Sequence, residues 1–304
     1  MKKLAIFAND TKFLGFAKGF ETRIFGKSQS KGIRFILEKA LTSYRIRSLS
    51  RWADIVFVDF LTQIGQRATK YSTKPVFMRI HRFELDHPHL FDNVNWDNVA
   101  TVIAVSYHYG KLLKDYVPEH VPIEVIYTGV DAERWPFHPS NSGKLCTWAI
   151  PTPRKRIYGL MLALKDYTLH VGGYSAEDRI LKDINTRFDL NHSLEPDIEF
   201  PKWLWDKEYY MHHALDESFG VSIGEAMLSG LIPIVHHLPC VLEYLPKEYT
   251  YIYDSELIEL IEKFRALSDD ERLKRKKQLR DIILKGFTTE HTADKMDALF
   301  DRYR

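Results

Sequence analysis

The stretch Glu217-Ser-Phe-Gly-Val-Ser-Ile-Gly-Glu225, continuing as Ala226-Met-Leu-Ser-Gly-Leu-Ile-Pro-Ile-Val235, places two glutamates eight positions apart around the start of a predicted helix. Gly230 ends that helix, and the apolar run that follows it predicts a buried strand. The free N–H groups and the positive dipole end of the helix, near Gly220, offer a place for a phosphate group. Two glutamates at this spacing are also compatible with a solvated loop and helix, so the rest of the chain decides the interpretation.

Length and composition describe a soluble globular chain. Its 304 residues suit two domains that each bury a core. Charged residues make up 28% and apolar residues 45% of the chain, and the 43 basic residues nearly balance the 41 acidic ones. The total charge therefore gives no reason to expect nucleic acid as a partner. Cys146 and Cys240 cannot build a disulfide framework and lack metal-ligand spacing, so we expect both in the core.

The start of the chain, Met1–Ala8, carries two lysines followed by a short apolar run. That run is too short for the core of a signal peptide and for a membrane span. No later apolar stretch reaches spanning length. These observations predict a cytoplasmic protein.

Short apolar runs alternate with stretches of helical period, which predicts parallel sheets covered on both faces. Strands are predicted at 4–8, 55–58, 76–80, 99–105 and 123–127, and again at 145–150, 167–171, 209–215, 231–235 and 250–253. Helices are predicted at 33–49, 107–116, 157–164, 269–284 and 287–303.

The polar stretch His138-Pro-Ser-Asn-Ser-Gly143 is the clearest linker. We therefore predict an α/β protein of two doubly wound, Rossmann-like domains, 1–138 and 144–286, with the helix at 287–304 packing back on the first. Ligands of such sheets bind outside the carboxyl ends of the strands, which predicts a site in a cleft between the domains.

Four further segments carry candidate site residues. They are Pro153-Arg-Lys155, Leu169-His-Val-Gly-Gly173, Pro75-Val-Phe-Met-Arg-Ile-His81 and Ile126-Tyr-Thr-Gly-Val-Asp131. Each ends or follows a predicted strand. Taken alone, each segment is also compatible with a structural role: a solvated turn, a pair of glycines at a strand end, or a core histidine.

Together with Glu217–Val235, these segments resemble, in order, the family 4 retaining glycosyltransferases (glycosyl transferases group 1), which have the GT-B fold. The resemblance spans roughly Leu4 to Tyr303. It implies that Lys155 and the Gly220 end of the helix bind the donor diphosphate, that Glu217 binds the donor sugar, and that Glu225 binds the ribose. It implies His81, Lys155 and Glu217 as catalytic residues, and as donor-binding residues Gly15, Arg154, Arg156, Gly172, Gly173, Ser218, Phe219, Gly220 and Glu225.

The chain departs from the family pattern at several positions. Ile150 stands where the family has an arginine, five positions before Lys155, and Arg154 or Arg156 is the candidate to replace that charge. Thr128 replaces an asparagine. The stretch from 171 to 217 is shorter than usual, and the whole chain is small for the family.

No Asp-x-Asp pair and no His/Cys/Asp cluster at ligand spacing occurs in the sequence. We therefore predict transfer without a metal or other cofactor, from a UDP- or GDP-linked sugar to a glycan or lipid-linked acceptor. A basic stretch also lies on the first domain, comprising Lys31, Arg34, Lys39, Arg45, Arg47 and Arg51. It is either a solvated helix face or a contact with a phosphate-bearing acceptor or with the inner membrane surface.

The predicted function is therefore that of a retaining glycosyltransferase that moves a hexose-type sugar from a nucleotide donor to an acceptor hydroxyl, in cell-surface glycan or glycolipid synthesis. Two alternatives stay open. One is a catalytically silent protein of the same fold that binds sugar nucleotides or glycans, favoured by Ile150 and the short chain. The other is a nucleotide-sugar epimerase.

Overall fold

The computed structural model describes residues 2–8, 14–25, 33–174 and 179–303, with only the backbone at 19 and 33–41. The chain divides into two compact units, Met1–Gly129 with Thr289–Arg304, and Val130–Thr288. The predicted linker at 138–143 lies inside the second unit.

The first unit is built on a sheet of six parallel strands, in the order β2-β1-β3-β4-β5-β6. Its strands are β1 (Lys3–Ala8), β2 (Glu21–Phe25), β3 (Ile55–Asp59), β4 (Val76–Ile80), β5 (Val99–Ala104) and β6 (Ile123–Val125). The central strands are buried on both faces, which is why they appear in the sequence as continuous apolar runs. Strand β2 was not predicted, because it lies at the sheet edge and its mostly exposed side chains form no apolar run.

The second unit holds another sheet of six parallel strands, in the order β12-β11-β10-β7-β8-β9. Its strands are β7 (Leu145–Trp148), β8 (Leu169–Gly172), β9 (Ser193–Glu195), β10 (Tyr209–His212), β11 (Ile232–His236) and β12 (Thr250–Tyr251). Strand β9 was also missed, since it is a short, half-buried edge strand. The predicted α/β architecture of two parallel sheets is confirmed.

Helices lie between most consecutive strands, and three more follow the last strand. They are α1 (Ile33–Trp52), α2 (Gln63–Tyr71), α3 (Arg82–Leu85), α4 (Tyr107–Leu112), α5 (Ile157–Ala163), α6 (Arg179–Arg187), α7 (Val221–Ser229), α8 (Asp254–Arg265), α9 (Asp269–Gly286) and α10 (Thr289–Asp301). Helix α10 belongs to the first unit, where Met296 and Phe300 are buried in the core with Ile6 and Phe57. Cys146 and Cys240 are both buried and unpaired by disulfides, as expected of core side chains.

Glycines set both ends of α7. Gly220 precedes the helix with φ of +83° and Gly230 follows it with φ of +91°, in the left-handed region that L side chains rarely adopt. Inside the helix, a Cβ on Gly224 would lie 2.6 Å from Val130 Cγ2, so only glycine allows this close approach. The start of α7 is therefore held at a defined place on the carboxyl edge of the second sheet.

Helix α1 turns one face to the core and another to solvent. Ile46 and Ser50 are buried, whereas Arg45, Arg47 and Arg51 are exposed. Lys31 lies outside the described residues, and Arg34 and Lys39 fall where only the backbone is described. In the described part of the chain, no helix combines the length and hydropathy that crossing a membrane requires.

Candidate functional site

Two cations meet one carboxylate at the carboxyl edge of the second sheet. Strand β7 leads into a 3-10 turn, Pro153–Lys155, and the neighbouring strand β10 leads into the loop that carries Glu217. Lys155 Nζ donates to Glu217 Oε1, and Arg154 Nη1 donates to the same oxygen at 3.0 Å. Arg154 also donates to the Asp216 carbonyl at 2.5 Å. The strand order therefore brings together residues that are about sixty positions apart in the chain.

The Glu217 carboxylate is largely buried and stays ionised. Burial by itself raises the pKa of Glu217, but the nearby ring of His212 and the positive charges of Lys155 and Arg154 outweigh it. The pKa of Glu217 therefore lies well below its usual range. Because ionised carboxylates only accept hydrogen bonds, Glu217 can hold cations or hydroxyl donors at this edge.

Arg154, and not Arg156, supplies the second cation of the cluster. Arg156 adopts the left-handed conformation, with φ of +50°, at the start of α5. Its charge acts instead on His213 and His236. Burial is the main cause of the lowered pKa of both histidines, and the charge of Arg156 is the second cause. Ile150 lies beyond the end of β7 and is 74% exposed.

The loop between Glu217 and α7 is anchored through Phe219. This ring is buried against Tyr244 and Phe287, with centroid distances of 5.1 and 6.1 Å. Tyr244 also donates its hydroxyl to the Phe219 carbonyl at 3.0 Å. Ser218 is half-buried between Glu217 and this anchor. Phe219 thus acts through packing, which fixes the backbone that precedes α7.

Glu225 lies in the second turn of α7 and is half-buried. The free N–H groups at the start of this helix lie next to Gly220. A helix start of this kind favours negative charge, and the nearby Lys155 and Arg154 add two positive charges. The start of α7 and the two cations paired with Glu217 therefore favour negative charge at this edge of the second unit.

The two glycines at the end of β8 have structural roles: packing constrains Gly172, and the backbone angle constrains Gly173. A Cβ on Gly172 would lie 2.9 Å from both Ile198 Cδ1 and Trp203 Cζ2, and Gly173 has φ of +73°. Trp203 Nε1 donates to Glu195, which also lies 2.7 Å from His170 Nδ1. A shallow depression of about 500 Å³ opens at this loop, lined by Glu195, Pro196, Asp197, Ile198, Glu199, Lys202 and Trp203.

His81 lies in the first unit, directly after β4, in a buried polar network. Asp59 at the end of β3 accepts two hydrogen bonds from Arg79, at 2.8 and 2.9 Å, and lies 2.9 Å from His81 Nε2. The ring of His81 stacks on Phe60 at 3.9 Å between centroids, and Glu84 accepts from the His81 N–H at 3.0 Å. Burial lowers the pKa of His81, so its ring is neutral near pH 7.

Gly15 also belongs to the first unit, where it begins a 3-10 turn, Gly15–Gly19. A Cβ on Gly15 would lie 2.8 Å from Thr289 Cγ2, at the start of α10. The absence of a side chain at Gly15 therefore allows this turn to pack against α10. The residues between β1 and Leu14, which precede the predicted donor-binding Gly15, lie outside the described residues.

One residue of the site was not singled out from the sequence. His212 ends β10, is buried, and places its Nε2 3.4 Å from Glu217 Oε1. The strand predicted at 209–215 runs past the true end of β10, so His212 was not expected at the carboxyl edge. Alternation along the strand places it on the same face as Tyr210, whose hydroxyl lies 2.8 Å from Ser222 Oγ in α7.

In the parts of the chain for which side chains are described, no group of three or more histidine, cysteine, aspartate or glutamate side chains is arranged to hold a metal ion.

Several solved structures share the architecture over nearly the whole chain. HepE from Anabaena, solved with UDP and glucose and with UDP-glucose, superposes with a TM-score of 0.81 at 16% identity, covering 99% of this chain and 100% of that one. Sucrose-phosphate synthase from Thermosynechococcus elongatus gives 0.79 at 14% identity, covering 100% and 99%. A glycosyltransferase from Rickettsia africae gives 0.76 at 16% identity, covering 99% and 98%.

The fold is GT-B. No protein-family model matches the sequence, and no protein of curated function matches it. At these identities the structural likeness establishes the fold, and the GT-B architecture agrees with the one that the sequence motifs implied.

Buried histidines make the stability of this GT-B chain depend on pH. Burial lowers the pKa of His213 to about 3, with help from Arg156, His236 and His212. Because the unfolded histidine binds a proton near pH 6.5 and the folded one does not, stability falls as the pH drops below 6.5. We expect His213 alone to cost about 2 kcal/mol of unfolding free energy at pH 5 relative to pH 7.5.

The measurement is urea unfolding at pH 7.5 and pH 5 of the wild type, His213→Gln and the control His120→Gln, whose side chain in the wild type is 59% exposed. The control should keep the wild-type pH dependence, and His213→Gln should reduce it. Burial raises the pKa of Glu84 to about 8, so Glu84 increases stability as the pH falls. This contribution is the same in all three proteins and does not affect their comparison. An unchanged pH dependence in His213→Gln would contradict the assignment.

Proposed function

We propose that this protein is a retaining glycosyltransferase of family 4 that transfers a hexose-type sugar from a nucleoside diphosphate sugar to an acceptor hydroxyl. The observation that carries the proposal is the cluster of Lys155, Arg154 and Glu217 beside the start of α7. Two cations and a helix start suit a diphosphate, and a buried ionised carboxylate suits the hydroxyls of a sugar. HepE, which shares the fold, was solved with UDP-glucose, which supports a UDP- or GDP-linked donor.

The chemistry of the proposed reaction needs positive charge where the donor breaks. As the nucleoside diphosphate leaves, negative charge grows on the oxygen that linked it to the sugar, and Lys155, Arg154 and the N–H groups near Gly220 stabilise that charge. Arg154 then performs the task of the family arginine that Ile150 replaces. Glu217 already accepts hydrogen bonds from two cations. This suits a role in binding sugar hydroxyls better than a role as the nucleophile.

The remaining steps follow from the same assignment. The acceptor hydroxyl attacks from the face that the diphosphate leaves, so the anomeric configuration is retained, and the departing phosphate takes the hydroxyl proton. We propose that Glu225 accepts from the ribose hydroxyls and that His81 contacts the donor sugar. The buried Asp59 network supports the second role, since it fixes the ring of His81.

The experiment that tests the function is incubation with a panel of UDP-, GDP- and ADP-linked hexoses, with and without glycan and lipid-linked acceptors, in excess EDTA. We expect release of nucleoside diphosphate to increase when an acceptor is present, without added metal, because Lys155, Arg154 and the helix start supply the positive charge. Binding without release would favour the silent binding protein. Conversion of the sugar without an acceptor would favour the epimerase. Loss of transfer in EDTA that manganese restores would contradict metal independence.

Lys155 and Arg154 should dominate the affinity for a nucleoside diphosphate. We expect Lys155→Ala and Arg154→Ala each to weaken binding by roughly 1–3 kcal/mol, the scale of a lost hydrogen bond between charged groups. Arg156→Ala, the matched control, should have a smaller effect because Arg156 lies outside the cluster. Titration calorimetry with UDP and GDP measures all three variants. Equal affinities for the wild type and Lys155→Ala would rule out this diphosphate site.

We propose a peripheral contact with anionic membranes through the exposed arginines of α1. Each basic residue near such a surface contributes about 1 kcal/mol at most, screened by salt. Ile46 is buried in the core and cannot insert, so we expect the exposed arginines to carry the contact. We expect sedimentation with vesicles containing anionic lipid at low salt and its loss when Arg45, Arg47 and Arg51 become glutamate. Unchanged sedimentation of that variant would leave α1 as a solvated helix.

A further inference from the structure

His212 is buried beside the Glu217 cluster without a well-formed hydrogen bond. Its residue surface is 3% exposed, and neither ring nitrogen has a partner at hydrogen-bond geometry among the described residues. The nearest acceptor is Glu217 Oε1, 3.4 Å from Nε2, which is an ion-pair distance but longer than a usual N–H···O bond. Buried polar groups normally find partners, so this arrangement points to a partner gained in another state of the site.

Ionisation of Glu217 determines which nitrogen carries the proton. The carboxylate can only accept, so His212 faces it with Nε2–H as the donor. Burial lowers the pKa of His212, which favours the neutral ring. A neutral ring has one N–H, and this contact needs only one donor. The groups that face the ring are Glu217 from its loop, Lys155 and Arg154 from the turn before α5, and Tyr210 from the same strand, at 6.0 Å between centroids.

The oxygen that His212 faces is already occupied. Lys155 Nζ and Arg154 Nη1 both donate to Glu217 Oε1, and an oxygen of this kind has two lone pairs. If a bound diphosphate accepts the hydrogen bonds of Lys155 and Arg154, Glu217 Oε1 is free to accept a hydrogen bond from His212. The ring would then need to move by only a few tenths of an ångström to reach an ordinary hydrogen-bond length.

We infer that His212 is the positioning residue of Glu217, holding the carboxylate through Nε2–H when a bound diphosphate draws Lys155 and Arg154 away from it. This inference rests on the proposed glycosyltransferase function and on the same site. Glu217 would otherwise lose its two cationic partners at the moment when it must bind the sugar. His212 therefore contributes to turnover more than to donor affinity.

The test compares His212→Leu, His212→Gln and the control His213→Gln. His213 is the next residue, just past the end of β10, is also buried, and has its Nδ1 2.6 Å from the Tyr251 hydroxyl. For each protein, kcat and donor KM are measured with the active nucleotide sugar, and the affinities for UDP and GDP are measured by calorimetry. Urea unfolding confirms that each variant is folded.

We expect His212→Leu to lower kcat about 10- to 100-fold, as for a lost hydrogen bond to a charged group, with diphosphate affinity changed less than about threefold. His212→Gln keeps an N–H donor and should recover most of kcat. His213→Gln should keep both values near those of the wild type.

The outcomes separate the two proposals. Wild-type kcat in His212→Leu, or equal losses in His212→Leu and His212→Gln, would overturn the positioning role and leave the transferase function standing. A kcat loss in His213→Gln as large as in His212→Leu would also overturn it, because packing alone would then explain the effect. A wild-type protein that releases no nucleoside diphosphate from any nucleotide sugar would overturn the function and this inference together.

Discussion

The shared contact of Lys155 and Arg154 with one oxygen of Glu217 is the interaction on which the rest of the site depends. It places two positive charges and one negative charge in a largely buried position, where unpaired charges are costly. The cluster is stable because all three groups are present together. Its net charge is positive, which favours binding of an anionic ligand. The same arrangement holds the turn after β7 to the loop after β10, and so it fixes the edge from which α7 begins.

Parallel strand order makes this arrangement possible in both units. In the second sheet β7 and β10 are neighbours, so the segments that follow them meet although they are far apart in sequence. In the first sheet β3 and β4 are neighbours, so Asp59 at one strand end meets Arg79 and His81 at the next. In each unit a buried carboxylate organises cations or a histidine at the carboxyl edge, which is where ligands of doubly wound sheets bind.

The sequence predicted the central strands of both sheets and the helix α7 because burial on both faces leaves continuous apolar runs and because Gly220 and Gly230 mark helix ends. It missed β2 and β9, since edge strands are held by backbone hydrogen bonds and carry little pattern in their side chains. It also extended β10 past its end. The motif residues Lys155, Glu217 and Glu225 were found by resemblance, whereas His212 matched no motif and was not found.

What the sequence determined by itself is the class of fold, the number of sheets and the residue types that occupy the carboxyl edge of the second sheet. The fold class and the two sheets follow from local periodicity and from glycines that mark helix ends, and the residue types of the edge follow from the resemblance of the motifs. Only the tertiary structure decided that Arg154 joins Lys155 on Glu217 while the charge of Arg156 acts on His213 and His236. Only it placed the buried ring of His212 against the same carboxylate. Such choices depend on which strands are neighbours and on backbone angles at single residues, and neither is encoded in local sequence patterns.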